Sequence, residues 1–581
     1  MTALDFDDIL QQVGSFGAYQ KFVLAFVLFP ATLPCAFISW NQLFMSGTPS
    51  TYHCKIPGRD YLTTADLLYF IPNSTKDDEA GLDKCRMFDF DFFTLSGLNS
   101  RARNTSLAIV PCKYGWTYDT SVYNSTVVTE WNLVCDKELY VTHAYTINAA
   151  GGLFSIFFIG YIADRYGRRV CYFMVLVISL CSSIATAFTP NYTWFAISRF
   201  FVGVGTGWTY MLPVMIGMEL IGPAHRALLS VVVSIYYTVG MLLLGGMAYW
   251  INTWRWFALV SCLPMVPLLG LWWSMPESPR YLLSQKRYDK LADFLREVAR
   301  RNSQRLEPDF DADLPGILKK INQSSSSESG KKRNDCDGYS MLDLFRTPNL
   351  RKKTLILIFA NVCNLGVYLG LTLYGPSIND NPHWDFFLSG IAEMPGYLLT
   401  SLMCDRLGRR FSIVSTMVMA GSAGIVAACV SSSGAISALV FVSKMAITVA
   451  FLISELLEDE IFPTVVRAEG HSVTAFSSNF FTLGVSYLVF LGHQYAALPL
   501  LIFGGICLVA AFFVLFLPET ANTDLPQTLE DAELSGKNVT LKTIFSFKIP
   551  QRVHHDTKAY LAAGTDSVDE SVPMKQKSGS I

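Results

Sequence analysis

Charge is what this sequence has least of. Only 16% of its 581 residues are Asp, Glu, Lys or Arg, against about 25% in a typical soluble domain. With 51% hydrophobic residues and a mean hydropathy of +0.33, that deficit excludes an ordinary water-soluble globule and points to lipid as the solvent. An excess of either sign is also missing. The formal net charge is −2, so no nucleic-acid footprint is present and no such partner is expected. No GxxxxGK[ST] loop occurs, which argues against direct use of ATP. The eight histidines are scattered and none stands in an HExxH pattern, so no metal, no cofactor and no enzymatic chemistry are expected. Asp5, Asp7 and Asp8 stand where a signal peptide would carry basic residues, so the first apolar run is expected to stay as an anchor.

Long apolar runs are what the sequence has in abundance. About 20 mainly apolar residues cross a hydrocarbon core of roughly 30 Å. Such runs lie near 21–44, 142–163, 170–188, 193–217, 228–250, 256–275, 354–376, 384–403, 411–430, 434–456, 470–492 and 497–518. From Gly470 to Pro518 there is no Asp, Glu, Lys or Arg at all. The fold class expected is therefore all-α membrane protein with twelve transmembrane helices. Loops bearing Arg165, Arg168, Arg169 and Arg406, Arg409, Arg410 are expected on the cytoplasmic side. Counting across the spans then puts both termini in the cytoplasm, 45–141 outside and 276–353 inside. The expected organisation is a cytoplasmic N-terminus at 1–20, a six-helix bundle at 21–275 and a cytoplasmic linker with short helices at 276–353. A second bundle at 354–518 and a disordered cytoplasmic tail at 519–581 complete it. Within the linker, Tyr288 to Arg301 reads as an amphipathic helix and 324–330 as a serine-rich solvated stretch.

The outer loop agrees with this topology. It holds Cys54, Cys85, Cys112 and Cys135, an even number suited to disulfides in an oxidising compartment. Three pairings are possible from sequence. The same loop carries sequons at Asn73, Asn104 and Asn124, expected to be glycosylated.

An internal repeat carries the functional argument. Asp164-Arg165-Tyr-Gly-Arg168-Arg169 recurs 241 residues later as Asp405-Arg406-Leu-Gly-Arg409-Arg410. Glu219 and Arg226 recur at the same offset as Glu460 and Arg467, and Pro276-Glu-Ser recurs as Pro518-Glu-Thr. A six-helix unit repeated with its orientation kept implies two bundles around a midplane substrate site that opens to one side at a time. The repeated charges are expected to act as a conformational switch, forming pairs that hold the inner face shut in one state.

These residues resemble the major facilitator superfamily and, within it, the organic cation, organic anion and carnitine transporters of solute carrier family 22. The likeness rests on the four-cysteine loop, Ser125-Thr-Val-Val-Thr-Glu-Trp-Asn-Leu-Val-Cys135, Gly160-Tyr-Ile-Ala-Asp-Arg-Tyr-Gly-Arg-Arg169 and Pro276-Glu-Ser-Pro-Arg-Tyr-Leu-Leu283. Glu460-Ile-Phe-Pro-Thr-Val-Val-Arg467 completes it. Sugar carriers of the superfamily are the alternative within the fold, but this chain shows no Gln-Gln pair on its seventh helix. The resemblance implies an alternating-access carrier of small organic ions in the plasma membrane, with sodium or a proton as possible coupling ion. An anion carrier, or a non-transporting sensor on the same scaffold, is the competing reading.

The resemblance also suggests where substrate binds. Tyr210, Tyr236, Tyr237 and Tyr368 are candidates for cation–π contact. Asn479 stands where cation carriers of the family have Asp and anion or carnitine carriers have Arg, which favours a cation or zwitterion of carnitine, betaine or amino-acid-derivative size. Glu393 and Glu455 lie within expected spans, where an acid costs roughly 3 kcal/mol on insertion scales and therefore has a job. Glu393 is expected to meet a cation of the bundle or the substrate amine. Glu455, if buried, is expected to titrate or to hold an ammonium; if the tenth helix ends early, it joins Glu458, Asp459 and Glu460 beyond it.

Overall fold

The computed structural model describes residues 6–57, 67, 70–73, 82–89, 108–304, 310–311, 313–331, 341–378, 381–463, 465–492, 495–521, 523, 526 and 528–535. Twelve long helical segments form the body. The first six are α1 (Ala18–Met45), α2 (Leu139–Tyr166), α3 (Arg168–Ala187), α4 (Tyr192–Leu220), α5 (Pro223–Trp250) and α6 (Trp254–Trp273). The second six are α7 (Pro348–Tyr374), α8 (Pro382–Leu407), α9 (Arg409–Cys429), α10 (Ser433–Ile461), α11 (Arg467–Leu491) and α12 (Ala497–Val514). Eleven of them are long and apolar enough to cross a membrane. The other, α8, has the length, at 26 residues, but carries Asp385 and Glu393, both buried.

Each half buries its own apolar core. One runs through α1, α3 and α4, from Val23 through Tyr172 to Leu212. The other joins α7, α9, α10 and α12, from Leu357 through Met417 and Ile453 to Cys507. Backbone hydrogen bonding inside each helix is what lets the chain sit in hydrocarbon at all. Two helices depart from regularity. α6 breaks at Leu263-Pro264, resumes over Met265–Leu269 and ends in a 3₁₀ turn over Gly270–Trp273. α11 breaks between Thr482 and Val485, around Gly484. Proline removes a backbone donor and glycine weakens helix, so both breaks have a local cause.

The outer loop folds as two strand pairs, β1 (Tyr52–Cys54) on β4 (Trp116–Tyr118) and β2 (Arg86–Phe88) on β3 (Ile109–Pro111). Of the three possible pairings it contains Cys54–Cys112 and Cys85–Cys135. The loop is tied to α6 by Glu130, which accepts from Trp254 Nε1 at 2.7 Å and pairs with Arg255 at 2.6 Å. Burial pushes the Glu130 carboxyl up, but these hydrogen bonds outweigh it and hold the group below its ordinary value. Asn73 and Asn124 are exposed, as glycosylation would require, while Asn104 lies outside the described residues.

At the opposite end, helix Phe6–Val13 packs its apolar face on helices Tyr288–Arg301 and Leu314–Lys331. Two expectations need correction here. The serine stretch at 324–330 is the last part of the Leu314–Lys331 helix, not a linker between elements. The tail expected to be disordered contains helix Leu529–Leu534, started by Thr528 and Asp531 in a reciprocal capping box. Glu533 of that helix accepts the backbone N–H of Asn349 and Leu350 at the start of α7. A carboxylate at a helix N-terminus meets unpaired donors and a favourable dipole, which is reason enough for the docking.

Candidate functional site

The two halves meet where α5 crosses α8, and the contact is polar at its centre. The Thr238 and Tyr397 hydroxyls lie 2.9 Å apart and both reach Glu393 Oε2, at 3.1 and 3.0 Å. The other carboxylate oxygen faces Lys444 Nζ of α10 at 3.3 Å. Both side chains of this ion pair are fully buried, at 0% and 1% exposure. Lys444 also donates to the Thr372 hydroxyl and sits over the Tyr368 ring, 3.8 Å from its centroid.

This arrangement answers one question left open by the sequence. Of the two partners considered for Glu393, the structure supplies the cation of the bundle, and the carboxylate is not free for a substrate. It also places Tyr368 beside the pair, with one face of its ring under Lys444. The physical reason is that an isolated charge in a low-dielectric interior is costly, so two such charges on neighbouring helices find each other. Sequence reasoning missed Lys444, Thr238, Tyr397 and Thr372. The available signal was that α8 and α10 each carry one charge of opposite sign near mid-span.

Above this network, toward the disulfide-linked loop, the halves are closed by aromatic contacts. Phe44 of α1 stacks on His383 at 5.2 Å and meets Phe386 edge-on at 5.1 Å. His143 of α2 bonds the Tyr487 hydroxyl of α11 at 2.9 Å.

Below it, α10 continues without interruption to Ile461. Glu455 is therefore part of the helix, and the alternative of an early end is set aside. It is exposed and lies within electrostatic reach of the Tyr210 hydroxyl of α4. Tyr210 belongs to the other half, so Glu455 faces the cleft between the bundles and not lipid. Tyr210 is half-buried and meets the Tyr237 ring edge-on at 5.8 Å. The Tyr237 hydroxyl accepts from Trp40 Nε1 at 2.8 Å. Tyr236 packs on Phe29 within its own half, with ring centroids 5.0 Å apart. Asn479 is half-buried and donates to the Ala475 carbonyl of its own helix at 2.8 Å. Tyr210 and Tyr237 thus lie together with Glu455 within reach of Tyr210, while Tyr236 and Asn479 make contacts inside their own halves.

The repeated motifs interlock in the same way twice. Gly167 and Gly408 adopt φ of +107° and +80°, and a Cβ there would lie 2.6 and 2.7 Å from Glu277 and Glu519 carboxylates. Those carboxylates accept the backbone N–H of Arg169 at 3.1 Å and of Arg409 at 2.8 Å, capping α3 and α9. Glycine is required for both the backbone angle and the space. Arg168 pairs with Asp164 at 3.0 Å and lies 3.9 Å from Glu219, which accepts from Ser278. Arg409 pairs with Glu460 at 3.1 Å, and Glu460 accepts from Thr520 at 2.5 Å. Arg169 donates to the Trp272 carbonyl and Arg410 to the Leu517 carbonyl. Arg226 goes to Asp7 at 3.2 Å and Arg467 to the Phe462 carbonyl at 3.3 Å. Arg165 bonds Tyr161, whereas Asp405 and Arg406 are exposed.

Arg168 with Glu219 and Arg409 with Glu460 each join an arginine of the repeated loop to an acid at a neighbouring helix end of the same half.

Comparison with known proteins follows this geometry. The model of the family described as sugar (and other) transporter matches residues 90–531. The chain is 34% identical to a β-alanine transporter of Drosophila melanogaster, over 91% of this chain and 89% of that protein. It is 32% identical to a carcinine transporter of the same organism, over 93% and 81%. It is also 32% identical to human solute carrier family 22 member 2, over 91% and 95%. Among solved structures it resembles the inward-open xylose transporter XylE from E. coli, with a TM-score of 0.55 and 17% identity, over 87% of this chain and 98% of that one.

Proposed function

Since the chain belongs to the sugar (and other) transporter family of major facilitator carriers, in its branch of organic cation and solute carrier family 22 transporters, we propose that its cleft carries a small organic cation or zwitterion. The coarser statement needs no proposal: this is a multi-pass membrane transporter of small organic ions and not an enzyme. The single observation that supports the finer one is Glu455, an exposed carboxylate within electrostatic reach of Tyr210 in the other half. A carboxylate beside an aromatic face holds an ammonium by charge and by cation–π attraction, the latter about 2 kcal/mol or more when desolvated. Glu393 contributes differently. It is neutralised by Lys444 and bonded to Thr238 of the other half, so it ties the bundles at mid-span.

Two of the relatives are described as transporters of β-alanine and carcinine, both amine-bearing compounds, which favours a substrate of that chemistry. Transport proceeds by rocking the two bundles about the α5–α8 contact. The aromatic closure at the loop end and the Arg168 and Arg409 clusters at the other end exchange roles. The protein acts at the plasma membrane with both termini cytoplasmic and the glycosylated loop outside.

The test is uptake in oocytes of radiolabelled carnitine, tetraethylammonium, β-alanine and p-aminohippurate at matched surface expression. Entry of a cation or zwitterion without the anion supports the proposal. Entry of p-aminohippurate alone would replace it with the anion carrier.

A further inference from the structure

At the loop end of the molecule lies a cavity of about 380 Å³ that binding in the cleft does not use. Its size falls within the roughly 300–1,000 Å³ of sites for small ligands. Both halves line it. Phe44 and Ser46 at the end of α1, Glu138 just before α2, and Asp119 and Tyr123 of the outer loop come from the first half. Val489 and Phe490 of α11 come from the second. Phe44 is also the ring that stacks on His383, and the Tyr123 ring lies 5.6 Å from the same imidazole. The aromatic closure between the halves is therefore part of the cavity wall.

The lining is aromatic and acidic. Asp119 accepts the Ser121 backbone N–H at 2.9 Å, the Ser121 hydroxyl at 3.0 Å and the Thr51 hydroxyl at 3.2 Å. These bonds hold its carboxyl below the ordinary value, so it is charged at neutral pH. Glu138 is the second acid, and among the described residues no Lys, Arg or His lines the cavity. Lys84 stands at the rim, where it donates to the Ser50 carbonyl at 3.0 Å and lies over the Tyr52 ring. Ser46 is 6% exposed, and its hydroxyl is buried without a hydrogen-bond partner. A buried hydroxyl left unpaired is costly, and a polar group of a ligand in the cavity would relieve it.

We propose that this cavity is a second binding site, which takes an aromatic amine from the loop side and regulates carriage. Its ammonium is held by Asp119 and Glu138, its ring by Phe44, Tyr123 and Phe490, and a polar group by the Ser46 hydroxyl. The site goes beyond the reading of the cleft and does not depend on Glu455. Since both halves supply the wall, the cavity has this form only while the loop end is closed. An occupant therefore keeps that end closed and delays the return of the carrier. It lowers the maximal rate of carriage, and saturating substrate does not relieve it.

Equilibrium binding of tritiated tyramine to the full-length protein in phosphatidylcholine nanodiscs tests this. Glu455→Gln serves as the background, so that the carboxylate of the cleft is absent. Saturable binding is expected, displaced by unlabelled tyramine and not by 4-ethylphenol, which has the same ring and no ammonium. Asp119→Asn and Glu138→Gln should each weaken it about fivefold, as for the loss of one partly exposed ion pair. Ser46→Ala should weaken it without lowering the melting temperature, because that hydroxyl bonds nothing in the fold. A serine that matters only for folding would show the reverse. Val489→Phe adds bulk from the opposite half and should abolish binding. No saturable binding to folded protein, equal displacement by 4-ethylphenol, or binding indifferent to all four variants overturns the site. In oocytes, external tyramine should lower the maximal rate of wild-type uptake of a carried cation or zwitterion, and do so less in Val489→Phe. Full relief by saturating substrate, the same in both proteins, would put tyramine in the cleft alone and overturn the regulation. Absence of any cation or zwitterion uptake would overturn the cleft reading and leave the nanodisc result standing.

Discussion

Removing one partner of the Glu393–Lys444 pair strands a charge in the middle of the protein. At 3.3 Å the attraction is about 5 kcal/mol for an effective dielectric near 20. Glu393→Gln leaves the Lys444 ammonium with the Thr372 hydroxyl, the Tyr368 carbonyl at 3.4 Å and the Tyr368 ring, none of them charged. Lys444→Met leaves the Glu393 carboxylate with the Thr238 and Tyr397 hydroxyls. Truncating one side of a buried pair typically costs about 3–5 kcal/mol, whereas replacing both sides is often neutral. Each single variant is therefore expected to lose that much stability and the double variant to recover most of it. Equilibrium unfolding in mixed micelles, read by thiol labelling of buried cysteines such as Cys35 and Cys363, measures the cycle. Single losses below about 1 kcal/mol, or a double variant equal to the sum of the singles, would refute the reasoning.

Gly408→Ala forces a β-carbon into a left-handed angle and against the Glu519 cap, for a loss of about 1–3 kcal/mol. Thermal melting of that variant should drop, and an unchanged melt would remove the steric argument. Cys54→Ser opens a 58-residue separation closed by the first disulfide and should cost about 2–5 kcal/mol, seen as lost surface expression. Glu130 is held below its ordinary carboxylate value, so the tie between outer loop and α6 is fully present above that ordinary value. The tie is lost only as pH falls through the depressed one. Protease nicking of the loop should thus stay slow in mild acid and quicken below pH 4 or so, whereas in Glu130→Gln it should be fast already at neutral pH.

Much of the architecture was legible because lipid allows so few solutions. Uninterrupted apolar runs had to be helices, and a repeat that kept its orientation had to be two bundles. The glycines of the arginine motifs were visible as a pattern, but their reason, a carboxylate from Pro-Glu-Ser or Pro-Glu-Thr capping the next helix, needed the fold. The mid-span pair was half legible. Glu393 stood out as an acid in a span, but nothing along the chain tied it to Lys444 on α10. The two stand on different helices, and no spacing along the chain reports a contact between helices. The breaks in α6 and α11 were hidden because hydropathy does not register a turn that keeps its apolar side chains.

The most direct measurement compares uptake by the wild type and Glu455→Gln, at equal surface density, for whichever cation or zwitterion the wild type carries. The variant keeps shape and polarity and loses only the charge. Loss of saturable uptake, with unaltered melting, is the predicted result. Wild-type kinetics in the variant would contradict the assignment of Glu455 as the group that holds the substrate amine.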